Sequence, residues 1–185
     1  MSQAILWLKS QLMEKISGEN LLKQYAAGQR DFQAIDLSEA SLFEVNLATI
    51  DLAGSNLRKV YCPYANLTQA NLENTQMQEA ELGDIKLYQA NLAGADLENS
   101  NMARANLRYA NLRGANLTSV DLQGADLSHA DLTDANLKSA NLSRANLENA
   151  RLTNAQLSGC NLYRARMVDL SEANYDQTTI GTEGY

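Results

Sequence analysis

The sequence predicts an all-β fold, a parallel β-helix of square cross-section, from three observations. A large apolar residue returns every fifth position without a missed step from Phe32 to Met167, which makes 28 consecutive pentapeptides. Of these anchors 23 are Leu, three are Met77, Met102 and Met167, and the others are Phe32 and Cys62. The residue two before the anchor is Ala in 17 of 28 units and mostly Val, Ile, Ser, Thr or Cys in the rest, so each unit carries an inward pair at strand spacing. The third observation is a superperiod of twenty. Two residues after the anchor, the positions Ala34, Gly54, Asn74, Gly94, Gly114, Asp134 and Asn154 are Gly, Asn or Asp in six cases of seven, whereas only two of seven qualify in each of the other three columns. Those residues tolerate the positive φ of a type II turn.

A strand of this kind cannot run on, because the next inward pair arrives after five residues and the surplus must be absorbed in a bend. Each pentapeptide is therefore one wall and one corner, four walls close a coil, and 28 units give seven coils. At a parallel-strand spacing of about 4.8 Å the shaft is roughly 34 Å long. Stacked Leu and Ala columns fill its interior while neighbouring coils satisfy one another's backbone groups.

The ends need covering, since an open tube exposes an apolar rim and unpaired edges. Residues 2–27 read as helical, with Ser2 as a cap, Ile5, Leu8, Leu12 and Ile16 as an apolar stripe, and Trp7 as a candidate plug. Gly18 interrupts before a second stretch with Leu21, Leu22 and Tyr25 that ends near Gly28. After Met167 the frame slips: Leu170, Tyr175 and Ile180 keep the spacing but fall in the column that held Ala. The expected division is a helical N-terminal cap over 1–29, the β-helix over 30–169 and a closing tail over 170–185.

Tandem Ala-(Asn/Asp)-Leu-x-x over residues 30–169 resembles the pentapeptide-repeat family, whose fold is a right-handed quadrilateral β-helix; the handedness is what the resemblance implies. The segment "LLKQYAAGQRDF" resembles the lead-in of many members, particularly cyanobacterial ones, and "ANYDQTTIGTEGY" resembles a C-terminal tail common among them.

Composition narrows the function. The net charge of −7 argues against a nucleic-acid partner, and the apolar run "AILWL" is too short for a membrane span or a signal-peptide core, so a monomeric cytoplasmic protein is expected. His129, the single histidine, projects outward and supports no Ser–His or Cys–His pair, and neither zinc nor calcium spacing occurs; no catalytic residue, cofactor or metal is expected. Cys62 and Cys160 point inward on the same wall five coils apart, roughly 24 Å by strand spacing, and so are two buried thiols and not a disulfide. Asn and Asp before the anchors, such as Asn106, Asn111 and Asp121, read as ligands of local turns.

Two surface features stand out as candidate partner sites. Arg104, Arg144 and Arg164 share a corner column interrupted by Gly124, with Tyr109, Tyr163 and Arg166 close by, and aligned like charges invite an acidic partner. Phe43, Tyr61 and Tyr64 form an aromatic patch on the third wall near the first coils, which is either a partner contact or a surface covered by the N-terminal helix. A non-enzymatic interaction scaffold or regulatory binder is the reading that follows. The alternative, implied by the resemblance, is a DNA mimic that binds type II topoisomerase (gyrase) and gives fluoroquinolone protection. Residues 30–169 hold 17 acidic and 12 basic residues, far fewer net charges than the roughly 20 that a duplex of this length presents.

Overall fold

The computed structural model describes residues 13–166 and 169–184. Its elements are a two-residue strand β1 (Glu14–Lys15), a helix α1 (Gly18–Ala26) and a second short strand β2 (Ile35–Asp36), followed by a ladder of single-residue parallel bridges. Bridges join residues twenty apart: Asn91 to Asn111, Asn111 to Asp131, and so through the shaft, which puts Leu92, Leu112 and Leu132 on one wall. Each wall is too short to be more than a bridge, because only the residue before the anchor is clasped on both sides. Asn56 shows the pattern, its N–H donating to Ile35 O at 2.9 Å while its carbonyl accepts from Leu37 N–H at 2.8 Å.

The corners are uniform. The N–H after the bend returns to the anchor carbonyl, as from Ala95 to Leu92 at 3.1 Å. At every corner from Ala34 to Arg164 the residue two after the anchor has φ between 52° and 71°. All four columns therefore bend through a left-handed residue, including the three in which Gly, Asn and Asp are sparse. The twenty-residue register stands, but Gly, Asn and Asp in the Ala34–Asn154 column do not mark a special turn. At most corners a residue with a Cβ carries the left-handed strain, compensated by the ladder bonds on either side of it.

The core is continuous from Ile16 and Leu21 to Leu162 and Ala165, with Leu on the anchors and small residues two before them. Outside it, an Asn or Asp before the anchor accepts at its side-chain oxygen from the N–H two residues on, as Asn66 does from Thr68 at 3.1 Å. The same side chains link coil to coil: Asn71 donates to Asp51 (3.0 Å), Asn91 to Asn71 (3.2 Å) and Asn111 to Asn91 (2.8 Å). These amides and carboxylates hold turns, as their spacing suggested, and also link coil to coil, which it did not.

The ends differ from the expectation. Ser2, Ile5, Trp7, Leu8 and Leu12 lie outside the described residues. Ile16 belongs to no helical stripe; it follows β1, which pairs in parallel with β2, and its N–H donates to Asp36 O at 3.0 Å. Gly18 opens the helix instead of interrupting one, because Ser17 caps it by accepting from Asn20 N–H at 3.2 Å. An ideal Cβ on Gly18 would sit 2.9 Å from Ser41 O, so glycine lets the helix start against the shaft. Leu21 is fully buried and the Tyr25 hydroxyl donates to Ala48 O at 2.7 Å.

At the other end Asn174 pairs with Gln156 and Ile180 with Asn161, offsets of 18 and 19 in place of 20. Two residues are dropped between Arg166, still in register with Asn146, and Glu172, whose carbonyl takes the Asn154 N–H. Ala173 and Tyr175 thus fall in the small and anchor positions and Ile180 in the position before an anchor, not in the Ala column. Tyr175 and Ile180 remain exposed.

Candidate interaction face

The register unites what the sequence suggested as two patches. The wall with anchors Leu42, Cys62, Leu82, Met102, Leu122, Leu142 and Leu162 carries Phe43 and Tyr163 one residue after an anchor, Tyr61 one before, and Glu44, Tyr64, Asp84, Arg104, Gly124, Arg144 and Arg164 at its corner. Seven of the nine candidate residues therefore share one face. Arg166 lies just around the corner on the next wall, and Tyr109 on the far corner of that wall.

At the N-terminal end of the face Phe43 stacks on Tyr61 with centroids 6.0 Å apart and meets Tyr64 edge-on at 5.9 Å. All three rings are about half exposed (45, 46 and 51 %), so their contact with each other leaves apolar surface to solvent. Pro63, Gly83 and Ala103 occupy the successive positions after the anchors, which keeps the middle of the face low.

The arginines differ from one another. Arg104 reaches back one coil to Asp84 in a two-pronged contact, Nε to Oδ1 at 2.9 Å and Nη2 to Oδ2 at 2.5 Å. That guanidinium holds the Asp84 carboxyl below the usual carboxylate range, against a smaller opposing effect of burial. Arg164 lies over the Tyr163 ring at 5.0 Å. Among the described residues, Arg144, Arg164 and Arg166 have no carboxylate within 4.0 Å. Between Arg104 and Arg144 the missing side chain of Gly124 opens a cleft of about 270 Å³, completed by Gln123.

On the neighbouring corner Tyr109 stacks flat on His129, centroids 4.6 Å apart and rings 4° from parallel, and takes Tyr88 edge-on at 5.8 Å. The sequence marked His129 only as an outward histidine without a catalytic pair and did not mark Tyr88, although 129 is 109 plus one superperiod and that arithmetic alone finds the stack. A larger cleft, about 550 Å³ on another wall, has its cations engaged: Lys59 with Glu79 at 3.4 Å and Arg58 with Gln78 at 3.0 Å. Among the described residues no group of His, Cys, Asp and Glu could hold a metal ion, and no helix is long and apolar enough to cross a membrane.

A chain that stacks twenty-residue coils on a Leu and Ala core, each coil pairing with its neighbours, is a repeat solenoid. It belongs to the pentapeptide-repeat family: the pattern described as pentapeptide repeats matches in eight copies over residues 35–74, 65–103, 80–118, 95–134 and 130–167. The fold is accordingly the right-handed quadrilateral β-helix of that family. Among solved structures it is similar to HetL, a pentapeptide repeat protein involved in heterocyst differentiation regulation from the cyanobacterium Nostoc sp. strain PCC 7120, at 29% identity over 92% of this chain and 99% of HetL with a TM-score of 0.42. It is similar to Rfr23 from the cyanobacterium Cyanothece 51142 at 22% identity over 88% of this chain and 97% of that one, TM-score 0.56. A third likeness is to QnrB1, a plasmid-mediated fluoroquinolone resistance protein, at 17% identity over 89% and 88% of the two chains, TM-score 0.38. A comparison with curated proteins found no match.

Proposed function

We propose that this protein is a non-enzymatic scaffold or regulatory binder that engages a protein partner through the face running from Phe43 to Arg164. One observation carries the reading: seven outward residues of the kinds enriched in protein interfaces, four aromatic and three Arg, fall on a single wall of a shaft whose core constrains none of them. The reading includes a seven-coil shaft over 30–169, an N-terminal segment over 1–29 acting as a lid, a closing tail over 170–185, and a monomer in the cytoplasm. What supports the lid is the burial of Leu21 and the Tyr25–Ala48 bond. The DNA-mimic alternative gains nothing from this face, where three arginines interrupt the acidic residues.

The test is affinity capture from the source organism's extract with the full chain as bait, read by quantitative mass spectrometry. Phe43→Ser, Tyr61→Ser and Tyr64→Ser together are expected to remove specific partners, whereas Arg58→Ala and Lys138→Ala on another wall retain them. Equal capture by both variants would overturn the assignment of the face. Inhibition of gyrase supercoiling at low micromolar protein would reverse the ranking of the two readings.

A further inference from the structure

We propose that the cleft at Gly124 receives a carboxylate from an acidic, extended segment of the protein partner. This rests on the reading of the face as the interaction surface and adds the chemistry of its occupant.

Charge and geometry favour an acid there. The protein carries −7 overall, yet Arg104, Arg144, Arg164 and Arg166 gather at one corner. Nearby acids are committed: Asp84 to Arg104, Asp126 to Arg108 at 3.8 Å, and Asp121 to the Gln123 N–H and the Asn141 amide, each at 3.0 Å. Arg144 borders the cleft with no carboxylate within 4.0 Å among the described residues. Gly124 is the one position between Arg104 and Arg164 without a side chain, so an incoming carboxylate can sit beside Arg144 in the space that it leaves and take charge-assisted bonds from that guanidinium.

The other end of the face sets the spacing. Tyr64 stands three coils before Gly124, about 14 Å at the strand spacing of a parallel ladder. An extended chain covers that in about four to five residues. The matching segment therefore has an apolar or aromatic side chain for the Phe43–Tyr61–Tyr64 cluster and an Asp or Glu pair four to five residues away. A nucleic-acid duplex fits less well, since its unbroken phosphate line would pass over Glu81, Asp84 and Asp121 and would offer nothing to the aromatic cluster.

The experiment is fluorescence anisotropy at about 50 mM salt, where exposed charges are least screened. The probe is a fluorescein-labelled peptide with a Phe–Leu pair and a Glu–Glu pair separated by four Ser and Gly residues. Its counterpart carries Gln–Gln, and a short DNA duplex is the third probe. The Glu peptide is expected to bind about tenfold more tightly than the Gln peptide. Arg144→Ala should erase that difference, as should Gly124→Asp, which supplies the carboxylate internally. Lys138→Ala should leave it intact, with unfolding curves unchanged for Arg144→Ala. Equal binding of the two peptides, an unaltered preference in Arg144→Ala, or tighter Arg144-dependent binding of the duplex would overturn the proposal. If the peptide result is negative while the aromatic variants still lose partners from extract, the interaction face survives and only the acidic occupant is wrong.

Discussion

Arg104 and Asp84 occupy the same corner one coil apart and meet through two hydrogen bonds, so the first arginine of the column is answered from within the chain. Both groups are at the surface, and the pair is open to screening. A double-mutant cycle with Asp84→Asn and Arg104→Gln should give a small favourable coupling in low salt that vanishes at about 1 M. Coupling that persists in high salt would mean a drier site than the structure describes.

Acid should destabilise the shaft through a few identifiable carboxyls. Asp84 is held low chiefly by Arg104. For Asp36 and Asp131 burial pushes upward but is outweighed, at Asp36 by bonds from Ser38 and the charge of Lys15, at Asp131 by bonds from Thr133 and Arg113. Each folded value lies below the unfolded one, so the stabilisation is complete above about pH 4 and is lost as pH falls through the folded values. Thermal unfolding from about pH 7 to pH 2 should show Tm falling only below about pH 4, with a smaller fall in Asp84→Asn.

Two inward serines should respond in opposite directions. Ser55 donates to Phe32 O and accepts from Ile35 N–H, both at 3.1 Å, replacing the direct turn bond that other corners make. Ser55→Ala is expected to cost about 1–3 kcal/mol by stranding both groups. Ser100 is buried with no partner for its hydroxyl, and Ser100→Ala should raise stability by up to about 1 kcal/mol. Urea unfolding of the two variants checks the sign of each.

Cys62 and Cys160 are free and buried, and burial pushes both thiols up to about 12. At neutral pH neither supplies thiolate. A maleimide or disulfide reagent should label neither in the native protein and both in denaturant. Fast native labelling of one site would reveal local opening of that wall.

Gly114 tests the corners directly, since φ is +63° and nothing lies within 4 Å of an added Cβ. Gly114→Ala should cost about 1 kcal/mol from backbone conformation alone, and Gly114→Asn less, by the same urea measurement.

Much of this was legible in the residues because a period of five with an inward pair leaves few alternatives once a Leu or Met anchor recurs unbroken from Leu67 to Leu162. The register of twenty was read correctly from Gly54, Gly94 and Gly114 for a reason that proved too narrow, as Glu39, Tyr64 and Arg104 adopt the same left-handed corner. Ladder bonds on both sides of a bend override single-residue preference. The helix over Leu21, Leu22 and Tyr25 was legible, but residues 14–16 were misread because Ile16 fits a helical stripe as well as a strand edge, and only its pairing beside Asp36 decides. The tail was misread because a dropped pair of residues leaves the five-residue beat of Leu170 and Tyr175 intact while moving both to anchors. At the candidate face each residue was found singly. Their union required following a column past Arg104 to Asp84 and Tyr64.

Because pairing from Asp31 to Arg166 joins positions twenty apart, separations along the outside of this shaft come in fixed increments. Inserting one whole block between Tyr64 and Arg104 would move the aromatic rings from the arginines by about 4.8 Å without disturbing a single interior neighbour. Inserting five residues would instead swing everything beyond it through a quarter-turn and split the two ends of the face onto adjacent sides. A lineage of such chains can thus retune the span between two handholds like notches on a ruler, and the graduations themselves are written in leucine.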